Sequence, residues 1–409
     1  MARIVIAAYG SRGDLAPLTD FGARLRGDGH DVVMTATPDL VDDITVCGIA
    51  ARPVDFEMDA DIENPARAAM QLVLPKGMRQ LGRNLLTALD DVPADILLLS
   101  PFAELAGHPL AEARGIPSIG VRLQPMSTTA DFPPALLGGW SAGSLVNRGA
   151  GRFAAAAIDR VYGKVVADFR AQLDLPPVSA KKLRRARTAA EWPVLHGFSP
   201  TVLPRPADWR PGLEVTGYWW PCRPADWTPP ADVVDFLESG SPPVFLGLGS
   251  LIVSSAGSAR LSEIMHEALQ TVGVRGIVQA GGAALNVSGA DVLTVGAIPH
   301  DWLFGKVAAV VHSCGAGTMA AGLRAGLPAV AVPSPGGDQP FWARRLRELG
   351  ASSATIPRPK LTATKLARAI EAASSEPTYR SRAEELAAQI DREDGAGRVV
   401  AAVEQLVRV

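Results

Sequence analysis

Short apolar runs alternate with segments of helical period along nearly the whole chain. "RIVIAA", "DVVMT", "ADILLLS" and "PSIGV" predict strands at 3–8, 31–35, 95–100 and 117–121. The third of these is apolar almost throughout, as expected of a parallel strand covered on both faces. Leu18, Phe21 and Leu25 recur at helical spacing, and helices are predicted at 16–28, 64–90, 103–114 and 144–173. The alternation restarts after residue 232. Strands are predicted at 243–248, 275–279, 291–295, 307–312 and 328–332, with helices between them and a helical tail over 362–408. This pattern predicts an α/β protein of two doubly wound, Rossmann-like domains, with a ligand in the central cleft at the carboxyl ends of both sets of strands.

The stretch 200–232 is crowded with proline and tryptophan and reads as a linker that packs rather than a loose tether. The expected division is a first domain over 1–205, a linker over 206–232, a second domain over 233–380 and a C-terminal helix over 381–409 able to cross back to the first domain. "LQPMSTTADFPPALLGGW" (123–140) is too long for a simple connector and suits a binding loop.

Composition narrows the picture. Of 409 residues, 47% are hydrophobic and 20% charged, and Lys+Arg number 40 against 42 Asp+Glu. That balance gives no electrostatic case for nucleic acid or an acidic membrane surface. Cys47, Cys222 and Cys314 are far apart in sequence, which argues against a disulfide framework or zinc site and fits a reducing compartment. The N-terminal "MARIVIAAYG" is one strand long, too short for a signal peptide's apolar core, and no run approaches the ~20 apolar residues of a membrane helix. A cytoplasmic monomer or weak homodimer without a transmembrane segment is expected.

Two stretches carry candidate chemistry. In "AAVVHSCGAGTMAAG" (308–322) a strand ends at His312, and the turn Ser313-Cys314-Gly315-Ala316-Gly317-Thr318 opens a helix. Glycines permit close backbone approach, free amides at a helix start favour an anion such as phosphate, and Ser313 and Thr318 add hydroxyls. Asp338-Gln339 then follows a second strand, a carboxylate beside a carboxamide suited to gripping a vicinal diol. Gly315-x-Gly317-x-x-Ala320 also matches a relaxed dinucleotide fingerprint, but Asp338 lies beyond the strand tip where the ribose-binding acid belongs, so a dehydrogenase is disfavoured. The other stretch, "AAYGSRGDLAPL" (7–18), places Ser11, Arg12 and Asp14 in a strand-to-helix loop. Taken alone, Asp14 reads as a helix N-cap, and Arg12 equally as a carboxylate's partner or as a diphosphate ligand.

"YGSRGDLAPL", "IPHDWLFGKVAAVVHSCGAGTMAAGLRAG" and "GGDQPFWARRL", in that order, resemble the nucleotide-sugar-dependent glycosyltransferases of the two-Rossmann-domain (GT-B) type. The nearest branches are sterol glucosyltransferase-like bacterial enzymes and glycosyltransferases of glycopeptide antibiotics. The resemblance implies inverting transfer of a sugar from a UDP- or TDP-sugar to a hydroxyl of an apolar small molecule, with no metal or other cofactor required. By motif match it makes Asp14 the general base. It assigns Ser11, Ser250, His312, Ser313, Gly315, Gly317 and Thr318 to the donor diphosphate, Asp338 and Gln339 to the donor sugar, and Ile298 and His300 to the nucleobase and ribose. The acceptor would meet loops at 55–80 and 123–140. Relatives carry two adjacent histidines where this chain has His312-Ser313, a glycine at Cys314, and one residue fewer between Pro333 and Asp338. A nucleotide-sugar epimerase on the same scaffold, or a non-catalytic nucleotide- or lipid-binding relative, are the competing readings. His108 and His196 receive no role, and Trp219-Trp220 reads as linker packing.

Overall fold

The computed structural model describes residues 1–56 and 71–407. The first sheet has seven strands: β1 (Arg3–Ala7), β2 (Asp31–Ala36), β3 (Ala50–Pro53), β4 (Ile96–Leu99), β5 (Ser118–Arg122), β6 (Val194–His196) and β7 (Leu213–Val215), in the order β3-β2-β1-β4-β5-β6-β7. The second has six: β8 (Val244–Gly247), β9 (Gly276–Gln279), β10 (Val292–Val295), β11 (Ala309–His312), β12 (Ala329–Ala331) and β13 (Ser352–Thr355), in the order β10-β9-β8-β11-β12-β13. Every strand pairs in parallel with its neighbours. Each sheet reverses its winding direction beside its first strand, between β1 and β4 and between β8 and β11. A crevice opens at such a switch point, and the loops after β1, β8 and β11 all lie there.

Burial follows from the strand composition. Ile4, Ile6, Ile96 and Leu98 are covered by Leu18, Phe21 and Leu25 on one face, while Val5, Leu97 and Leu99 meet Leu81, Leu85 and Phe169 on the other. Each fully buried side chain of this size contributes roughly 1.5–3 kcal/mol.

Four strands carry no clear signal in the sequence. β6 and β7 are only three residues each, β3 is an edge strand with mostly exposed residues that ends on Pro53, and β13 reads Ser-Ser-Ala-Thr. β7 falls in the stretch expected to be linker. Leu213 and Val215 are buried there, so the first sheet continues past residue 205. The predicted helix over 64–90 is seen as Pro75–Ala88, and its first residues lie outside the described part of the chain, as does most of the 55–80 loop.

The chain returns to the first domain at its end. Helix Gly395–Val407 buries Ala396, Val399 and Val403 in the core formed by Leu18, Phe21 and Leu25. The segment between the sheets is pinned on the way. Asp20 accepts the Trp220 N–H at 2.7 Å, Thr19 Oγ1 accepts the Cys222 N–H at 3.0 Å, and Glu393 Oε1 accepts the Ser199 and Thr201 hydroxyls at 2.6 and 3.0 Å. Trp219 stacks edge-on against Phe21 at 5.1 Å.

Candidate active site

The loop after β1 is built to present one carboxylate. Ala8 is fixed by the Thr35 hydroxyl, which accepts its N–H at 2.8 Å. Gly10 follows at φ +142°, where a Cβ would come within 2.7 Å of Asp14 Oδ2, so only glycine fits. Ser11 then precedes the single helical turn Arg12–Leu15. Asp14 is therefore not the N-cap the isolated sequence suggests. Ser11 holds that position, and Asp14, the third helical residue, folds back so that Oδ2 accepts the Ser11 N–H at 2.9 Å and the Ser11 hydroxyl at 2.8 Å. Burial raises the Asp14 pKa above the ordinary carboxylate value, and the two Ser11 bonds only partly oppose it. Arg12 does not compensate, because its guanidinium is turned to Asp43, with Nε 3.0 Å from Oδ2.

The turn after β11 has the opposite character. His312 is buried, and its Nδ1 accepts the Cys314 N–H at 3.0 Å, which leaves the ring proton on Nε2. Burial, with His300 nearby acting in the same direction, holds the His312 pKa down at about 4, so the ring is neutral near pH 7. The Ser313 hydroxyl donates to the Leu248 carbonyl at 3.3 Å, tying this turn to the loop after β8. Cys314 adopts φ +63°, the left-handed region, where glycine is the residue of least strain. Its buried thiol has a raised pKa, through desolvation first and the Asp338 carboxylate second. Gly315 precedes helix Ala316–Arg324, and a Cβ on either Gly315 or Gly317 would meet nothing within 4 Å. The first amides of that helix have no intrahelical acceptor, so open space faces unpaired donors. Thr318 is half-buried beside them.

Gly336 and Gly337, at φ +85° and +65°, turn the loop after β12 so that Asp338 precedes helix Gln339–Glu348. Asp338 Oδ2 accepts the Trp342 indole N–H at 3.1 Å. Gln339 Oε1 accepts the Ser334 N–H at 2.8 Å, which leaves its NH2 as the group free to reach a ligand. The Asp338 pKa is raised by burial and also by the charge of Asp14 in the other domain, while the Trp342 bond, and more weakly the nearby amide of Gln124, lower it.

The structure thus gathers Asp14, Asp338, Gln124 and the Cys314 turn on facing sides of one cleft. The domains also touch at its rim, where Phe132 meets Phe341 at 5.3 Å and a Cβ on Gly139 would lie 2.3 Å from the Pro340 carbonyl. Ser250 is exposed in the loop after β8, and Ser254, not Ser250, caps helix Ser255–Val272 by accepting the Gly257 N–H at 3.2 Å. Ile298 is buried in a core cluster that runs through both domains. His300 stacks on Phe304 at 4.4 Å, and burial lowers its pKa to about 4. The sequence does not single out Gln124. It lies in the 123–140 loop, but nothing around it in the sequence marks it above its neighbours. Two surface depressions, one at Arg3, Asp90 and Arg114 and one at Val234, Pro242 and Trp302, lie away from these turns.

Two facing Rossmann-like domains with this topology define the GT-B fold. A family profile described as "Erythromycin biosynthesis protein CIII-like, C-terminal domain" matches residues 269–406. An O-mycaminosyltylonolide 6-deoxyallosyltransferase of Streptomyces fradiae is 31% identical over 98% of this chain and 97% of its own length. A sterol 3-beta-glucosyltransferase of Arabidopsis thaliana is 30% identical over 98% of this chain, which spans 65% of that longer protein. The crystal structure of a Streptomyces sp. SF2575 glycosyltransferase complexed with thymidine diphosphate aligns with a TM-score of 0.61 at 18% identity, covering 99% of this chain and 100% of the other. The chain belongs to the GT-B glycosyltransferase family that includes macrolide and sterol glycosyltransferases.

Proposed function

We propose that this chain transfers a sugar, with inversion, from a UDP- or TDP-sugar to a hydroxyl of an apolar small molecule such as a sterol or polyketide aglycone. The observation that carries this reading is that Asp14, on the turn after β1, and Asp338, on the loop after β12, lie close enough across the cleft for the charge of one to act on the other. A carboxylate with a raised pKa on one wall faces a carboxylate–carboxamide pair on the other, which supports reading the first as a base and the second as a grip on sugar hydroxyls.

In this mechanism Asp14 takes the acceptor's proton as the hydroxyl oxygen bonds to the anomeric carbon and the bond to the diphosphate breaks. A hydroxyl is a poor nucleophile near neutral pH, and a carboxylate desolvated by its surroundings is a stronger base than one in water. Charge develops on the departing diphosphate at the Gly315–Thr318 turn. There helix amides and the Thr318 hydroxyl stabilise it, with Ser250 and Ser11 as further hydroxyls and Ser313 once it leaves Leu248. Neutral His312 holds the turn's shape and can donate through Nε2. Asp338 and the Gln339 NH2 bind the sugar hydroxyls, and the nucleoside lies toward Ile298 and His300. In this mechanism the amide and hydroxyl donors carry the leaving group's charge, and no step calls on a metal.

Donors and apolar alcohols incubated together, with products read by mass spectrometry, test the proposal. A glycosylated acceptor is expected only when both substrates are present. A new sugar nucleotide formed from donor alone would instead mark an epimerase, and thermal stabilisation by nucleotide without turnover would mark a binding protein.

A further inference from the structure

The near-neutral charge of the whole chain conceals a local excess. Between residues 144 and 190 there are ten Lys and Arg against three Asp and no Glu, in a chain of net charge −2. This stretch forms two packed helices, Ser144–Gln172 and Ala180–Ala189, joined by the Arg184–Asp159 ion pair at 2.8 Å. Arg152, Arg160, Lys164, Lys181, Lys182 and Arg185 are exposed, and none makes an ion pair among the described residues.

The same surface carries large apolar side chains in water. Leu145 is 86% exposed, Phe153 76% and Val146 51%. At 100° per residue these three share one arc of the long helix with Arg160 and Lys164, opposite Asn147, Gly151 and Val165, which are buried. Leu136, Leu137 and Trp140, in the loop before the long helix, are also partly exposed. Asn147 fastens that loop to the helix by donating to the Ala130 carbonyl at 3.0 Å and accepting the Ala142 N–H at 3.2 Å.

We propose that the outward face of helices 144–172 and 180–189 docks on an anionic lipid bilayer. Apolar side chains enter the boundary between headgroups and acyl chains, while unpaired cations remain at the lipid phosphates. A second copy of the chain fits this face poorly, because a two-fold interface would set the same basic side chains against each other. If the acceptor is apolar, as proposed above, docking brings the chain to the phase in which the acceptor dissolves.

Co-sedimentation of the full chain with lipid vesicles, without donor or acceptor, tests the idea. We expect binding to equimolar phosphatidylcholine–phosphatidylglycerol vesicles but not to phosphatidylcholine alone, weakening at least ~10-fold when salt rises from about 0.1 M to about 1 M. The double variant Leu145→Ser/Phe153→Ser, at exposed positions where the fold tolerates change, should bind at least ~10-fold more weakly. Lys181→Glu/Lys182→Glu should lose about as much. No binding to anionic vesicles, or equal binding by the variants, would overturn the proposal. Self-association abolished by Phe153→Ser would also overturn it and make the face an interface between copies. A chain that glycosylates but ignores vesicles refutes only this inference, and one that binds vesicles without transferring sugar refutes only the function proposed above.

Discussion

The turns after β1 and β11 are built from the same local parts and end up with opposite chemistry. Each follows a parallel strand beside a switch point and opens into a helix. In the first, the helix is one turn long, and a glycine at φ +142° lets Asp14 fold back over its own start. A carboxylate then occupies the place where a helix would otherwise receive an anion, and among the described residues its donors are on Ser11. In the second, the helix runs from Ala316 to Arg324, no carboxylate folds back, and Gly315 and Gly317 leave the space before it open. What fills the turn, rather than the turn itself, decides whether it offers a base or receives an anion.

The largest expected effect separates the two turns. Asp14→Asn keeps an acceptor for the Ser11 bonds but cannot take a proton, so transfer should fall at least ~100-fold while nucleoside diphosphate binding changes little. Unchanged turnover would remove Asp14 from the chemistry. Next in size, Asp338→Ala should weaken binding of the sugar nucleotide at least ~10-fold. Binding of the free nucleoside diphosphate should change far less. Equal loss for both, measured by calorimetry, would mean that the carboxylate serves only to hold Trp342.

The smallest effect concerns pH. The Asp14 pKa lies above the ordinary value of 3.8, and the base works only when ionised. The rate should therefore fall as the pH drops through that raised value and stay level above it. Ser11→Ala removes a bond that favours the charged form, so the acid limb should move further up, by about one pH unit, and the plateau should drop only by what the Ser11 hydroxyl adds at the diphosphate. His300 and His312, both near 4, should add no inflection around neutral pH. A limb near the free histidine value would show that one of them ionises during turnover.

Most of the framework is legible because its strands are apolar runs. β1, β4, β8 and β11 read directly from Ile, Val and Leu content, and the cleft follows from their order. β13, written Ser-Ser-Ala-Thr, and the three-residue β6 and β7 are strands through tertiary pairing alone, which sequence periodicity does not report. At the site, Asp14, the glycine turn and Asp338 stand out because glycines and a polar residue interrupt apolar patterning. Two features do not. Gln124 gains significance only because the fold carries its loop across to Asp338. The hydroxyl of Ser313 reads as a free donor in sequence, yet in the fold it is spent on the Leu248 carbonyl.

The division of labour between the two turns is tested most directly by calorimetric titration of thymidine diphosphate into two variants side by side. Gly317→Val fills open space without a clash, since a Cβ there meets nothing within 4 Å. We expect Asp14→Asn to bind the nucleotide within about twofold of wild type and Gly317→Val at least ~10-fold more weakly. The reverse order, with affinity lost at Asp14 and kept at Gly317, would contradict it.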